Sequence, residues 1–116
     1  MKKTITDIEM KLLSQAISAV SFKDWECDLL SQLCFKDVLD MGYSRKEAAG
    51  FVGSLCKKEL AYTEDFEDVK QMLKSNCDVY KTLKTEEERY YHTIDSTMII
   101  PTNSGVKEYF IQLKNS

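Results

Sequence analysis

Apolar residues recur at helical spacing over most of this chain. Ile8, Leu12, Leu13, Ala16, Ile17 and Val20 form one stripe, in the steps of three and four that place side chains on a single helix face. Thr6 and Glu9 open it in the T-x-x-E order of a capping box, so a helix is expected from Asp7 to about Val20. Phe22, Trp25, Leu29, Leu30 and Leu33 suit a further helix starting near Ser21 or Asp24, with Trp25 as a core anchor. Phe35, Val38, Leu39 and Met41 then give a short helix one apolar side, and Gly42 stands where that helix should end. A glycine there takes the positive φ that closes a helix C-terminus. Ser44 and Glu47 form a second capping box, and Ala48, Val52, Leu55 and Cys56 carry the next helix to about Leu60.

Beyond Leu60 the period changes. Ala61–Thr63 and Thr97–Ile100 read as short strands, and the residues between them are not loop-like. Phe66, Val69, Leu73, Asn76, Tyr80 and Leu83 alternate steps of three and four. That is a heptad-like helix of about five turns, or two shorter helices broken near Ser75 and Asn76. Such a helix is marginal alone in water, so its apolar edge needs a cover. The expected cover is a second copy of the chain, giving a homodimer through Phe66, Val69, Leu73 and Tyr80; the alternative is the body of the same domain. Tyr90–Ile94 has strand character and is expected to open the returning arm of the sheet. Pro101 fits a strand end. Thr102 is the N-cap of a closing helix over residues 102–114 that carries Val106, Tyr109, Phe110 and Leu113.

A short helix, a glycine turn and a longer capped helix make residues 35–60 a helix-turn-helix pattern. The segments Val38-Leu39-Asp40-Met41-Gly42-Tyr43-Ser44 and Leu55-Cys56-Lys57-Lys58-Glu59-Leu60-Ala61 resemble those of the winged helix-turn-helix in the MarR-type bacterial regulators. Ile99-Ile100-Pro101-Thr102-Asn103-Ser104-Gly105 is similar to that family's T-x-x-G junction between the last wing strand and a closing helix. The chain departs from the family at Val38, where a small alanine is usual, and at Glu59, where glycine is usual. The resemblance implies one mainly α winged helix-turn-helix domain over 1–116, with a small antiparallel β-wing and a helical insert at 64–93 in the wing region. It also implies a DNA-binding transcriptional regulator, with helix 45–60 in the major groove and Ser44, Arg45, Lys46, Gly50, Ser54 and Lys57 at the duplex.

Charge complicates that reading. The chain carries 16 basic and 19 acidic residues, a net charge of −3, which does not favour nonspecific attraction to phosphates. Around the turn, Arg45, Lys46, Lys57 and Lys58 outnumber Glu47 and Glu59, whereas the insert is acidic. The middle of the expected recognition face has no Arg, Asn or Gln for paired base contacts. It has Gly50 and Gly53 instead, which allow close approach by a neighbouring helix, a protein partner or DNA. A winged-helix protein–protein interaction module, an adaptor or inhibitor that does not bind DNA, is the alternative function. A ligand-sensing regulator is a third, needing an apolar pocket between helices.

Little else points to chemistry. The sequence has no phosphate-cradling glycine loop and no hydrolase or metalloprotease signature. No catalytic residue, cofactor or metal is therefore expected. Cys27, Cys34, Cys56 and Cys77 show no C-x-x-C spacing, and reduced thiols in the cytoplasm are expected. No apolar run approaches the ~18 residues of a membrane helix, and the N-terminus lacks a secretory signal.

Overall fold

Thr6 and Glu9 start the first helix as their spacing predicts. The Glu9 carboxylate accepts from the Thr6 amide and hydroxyl, both at 2.9 Å, and the Glu9 amide donates back to the Thr6 hydroxyl at 3.3 Å. The computed structural model describes residues 4–18 and 33–115. The expected helix around Trp25, together with Val20 and Cys27, lies outside the described residues. Helix α1 spans Asp7–Ser18, α2 Phe35–Asp40 and α3 Arg45–Lys57. Strand β1 (Ala61–Thr63) leads into α4 (Phe66–Asn76), α5 (Asp78–Thr82) and α6 (Glu86–Ser96). Strand β2 (Ile99–Pro101) and helix α7 (Asn103–Lys114) close the chain. The described chain is mainly helical, with one small antiparallel sheet.

The turn of residues 35–60 forms around Gly42, whose φ is 99°. Ser44 accepts from the Glu47 amide and Glu47 accepts from the Ser44 amide, each at 3.1 Å. The stripe of α1 meets α3 and the strands in one core containing Leu12, Leu13, Val38, Ala48, Leu55, Leu60 and Ile99. At the end of α3 the Glu59 amide donates to the Cys56 carbonyl and the Leu60 amide to the Leu55 carbonyl. These are the two bonds of a Schellman cap. Glu59 holds the left-handed position with φ 61°, and Leu60 turns back into the core beside Leu55. Glycine is preferred there because a Cβ crowds the carbonyl. A Glu59→Gly variant is expected to be more stable by roughly 0.5–1 kcal/mol, read as a higher urea midpoint with an unchanged slope.

Strands β1 and β2 pair with Tyr62 opposite Ile100. A bridge between Cys34 and Met98 brings the residue before α2 onto the other edge of β2, so β2 is flanked on both sides.

The insert is helical but not one continuous helix. Its heptad-like stretch breaks at Cys77, giving α4 and α5 rather than one long helix. Val69, Leu73 and Tyr80 are buried within the chain's own fold, with Cys77 and Leu83 against them. Phe66 stacks on Tyr90 at 5.5 Å. The strand expected at Tyr90–Ile94 is not formed, because those residues lie inside α6. Thr85 accepts from the Glu88 amide at 3.1 Å, and three glutamates fill the first turn, where the helix dipole favours them. Capping and a buried helical face at Thr93 outweigh the β propensity of Tyr, Thr and Ile.

Candidate functional site

Around the axis of α3 the structure separates four environments. Ala48, Val52 and Leu55 face the core. Ser54 and Lys58 face α1, where the Ser54 hydroxyl donates to Glu9 at 3.1 Å and Lys58 Nζ lies 2.6 Å from Glu9 Oε1. Lys46, Gly50 and Lys57 share an exposed stripe. Ala49, Val52, Gly53 and Cys56 line a groove whose opposite wall is Tyr90, Tyr91 and Ile94 of α6. The groove encloses about 480 Å³, within the range of ordinary binding clefts.

Arg45 marks the end of this groove. Its guanidinium makes two parallel bonds to Asp95, 2.8 and 3.0 Å long, and lies 4.6 Å from the centre of the Tyr91 ring. The bidentate geometry and the aromatic face together fix the side chain. The hydrogen bonds that Arg45 donates to Asp95 push its guanidinium above the usual arginine value. Beyond Arg45 a second, acidic recess is lined by Glu87, Glu88, His92 and Asp95. The first turn of α3 is therefore flanked by carboxylates.

The six residues expected at a duplex thus divide. Ser44 is occupied as N-cap, Arg45 with Asp95, and Ser54 with Glu9. Lys46, Gly50 and Lys57 remain presented to solvent. Neither Gly50 nor Gly53 has a neighbour within 4 Å of where a Cβ would lie. Close packing inside the domain is therefore not why glycine stands at either position.

Cys56 lines the groove, and burial pushes its thiol up, keeping it protonated at neutral pH. Cys34, Cys56 and Cys77 are free thiols. Burial, and then the nearby Asp37 carboxylate, raise Cys34 as well, although the backbone amide of Asp37 works against them. Cys77 Sγ lies 3.8 Å from His92 Nε2. Among the described residues no three His, Cys, Asp or Glu side chains cluster as a metal site would require, and no helix is long and apolar enough to cross a membrane.

Sequence reasoning did not find Tyr90, Tyr91 and Ile94, because it assigned Tyr90–Ile94 to a strand, nor Asp95, whose partner Arg45 lies 50 residues away. The T-x-x-E order of Thr85 and Glu88 was the available signal. Compared with known protein families, with curated proteins and with solved structures, the chain matches none.

Proposed function

We propose that this chain is a winged-helix interaction module that binds a protein partner through the groove between α3 and α6. The arrangement of α1, the α2–α3 turn, the β1–β2 pair and α7 supports the winged-helix reading. The observation that carries the function is the groove itself, walled by apolar and aromatic side chains and bordered by Glu87, Glu88 and Asp95. Those walls suit an apolar ridge, and the carboxylates at one end suit Lys or Arg beside it. The same carboxylates repel phosphates from the first turn of α3, the turn that a DNA-reading helix presents to the duplex. Arg45 also cannot reach a base without giving up Asp95 and Tyr91.

DNA binding is the second reading, favoured by one observation: Lys46, Gly50 and Lys57 form an exposed stripe along α3. Two variants separate the readings. Gly53→Leu places a side chain in open space at the groove and is expected to fold. Lys46→Glu/Lys57→Glu reverses the stripe. The expected result is a protein recovered at about 0.5 M salt by the wild type and the lysine variant but lost from Gly53→Leu, with no shift of a generic duplex. Duplex binding that falls steeply between about 50 and 200 mM salt and is abolished by the lysine variant would overturn the proposal in favour of DNA.

A further inference from the structure

The insert segregates its charges. Glu87, Glu88 and Asp95 lie beside Arg45, whereas a group of cations lies on a different face of α6. There Lys70 and Lys74 of α4, Lys81 of α5 and Arg89 of α6 converge with Tyr80 and Glu86 on a recess of about 320 Å³. Four cations meet one carboxylate, in a chain whose net charge is −3. Lys70 and Lys74 are one helical turn apart, and among the described residues neither has an ion-pair partner. Lys81 reaches only the exposed Asp78, at 4.0 Å. Arg89 is fixed in place by Glu86 at 3.1 Å and by the Leu83 carbonyl at 2.9 Å.

A second observation, independent of the lysines, points to a ligand. Tyr80 lines the same recess, is only 3 % exposed, and its buried hydroxyl has no hydrogen-bond partner. Buried polar groups are nearly always satisfied, so an orphaned donor beside converging cations needs an acceptor. We propose that this recess binds the phosphate of a phosphorylated small molecule. A phosphate monoester carries nearly two negative charges at neutral pH and offers three acceptor oxygens. The lysines supply charge, and the Tyr80 hydroxyl is the unpartnered donor at the recess wall. The volume is roughly ten times a single water's share of liquid, so the site holds a body attached to the phosphate as well as the phosphate. Three helices make the recess concave, which suits a compact monoester better than the extended backbone of a nucleic acid.

The test is calorimetric titration of the full chain with glucose 6-phosphate, inorganic phosphate, glucose and a short oligonucleotide. Saturable binding of glucose 6-phosphate is expected with Kd at or below about 1 mM, with none for glucose. Lys70→Ala/Lys74→Ala should weaken it about tenfold or more. Tyr80→Phe should weaken it severalfold while leaving the melting temperature equal or higher, because the variant removes an unpaired buried hydroxyl. No saturation with either phosphate probe up to about 10 mM would overturn the site. So would affinity unchanged in both variants, or binding of the oligonucleotide alone.

Discussion

Replacing Gly105 with alanine is expected to lower the melting temperature by about 10–20 °C, corresponding to roughly 3 kcal/mol or more. In an ordinary helix interior the same change gains about 1 kcal/mol from helix propensity. Here the sign reverses because the first turn of α7 lies directly against the end of α3. A Cβ at Gly105 would sit 1.9 Å from the Leu60 carbonyl oxygen and 2.8 Å from its carbon. Those are backbone atoms, and they are held. The Thr102 amide donates to the Leu60 carbonyl at 3.0 Å, and the Thr102 hydroxyl donates to the Glu59 carbonyl at 2.7 Å. The same hydroxyl accepts from the Gly105 amide at 2.9 Å. Relief of the clash therefore requires α7 to lift off the α3–β1 junction. A Val106→Ala control, one residue on, should cost far less. A Gly105→Ala protein melting within a few degrees of wild type would mean that α7 does not seat on Leu60.

That junction was half legible in the sequence. The order Thr-x-x-Gly and the capping role of Thr102 follow from residue types alone, but the reason for Gly105 depends on a carbonyl 45 residues earlier. The helices of residues 7–18 and 35–57 were legible because apolar period and capping boxes agree there. Glu59 was legible as a departure, and its positive φ gives the departure a physical meaning. Local chemistry failed at Tyr90–Ile94, where β-branched and aromatic residues read as strand. What decides that segment is the Thr85 cap together with tertiary contact, with Tyr90 on Phe66 and Tyr91 under the Arg45 guanidinium. The pairing of Arg45 with Asp95 spans 50 residues, and no spacing rule reaches across it. Charge counting likewise made the whole insert acidic. Only the folding of α4, α5 and α6 separates the carboxylates beside Arg45 from the cations around Tyr80.

The other large effect is expected at Glu9, whose side chain is almost wholly buried at the crossing of α1 and α3. Its carboxylate accepts from the amide and hydroxyl of Thr6, from Ser54 and from Lys58. Lys58 also donates to the Thr4 carbonyl at 2.6 Å, so one ion pair ties the start of α1 to the end of α3. Glu9→Gln keeps the shape but removes the charge, leaving Lys58 partly covered without its partner. A loss of about 2–3 kcal/mol at neutral pH is expected, below the range for a fully buried pair because Lys58 remains in contact with water. The effect should depend on pH in a defined direction. Burial alone pushes the Glu9 carboxyl up, but hydrogen bonds from Lys58 and Thr6 outweigh it and bring it below its ordinary value of 4.5. A carboxyl depressed in the folded state contributes its stability above the unfolded value and loses it as pH falls through the folded one. Urea unfolding of wild type and Glu9→Gln should therefore differ by a constant amount from about pH 6 to 8, and the gap should narrow below about pH 4. A gap that persists undiminished in acid would mean that the side chain acts through its shape and neutral hydrogen bonds, and not through its charge.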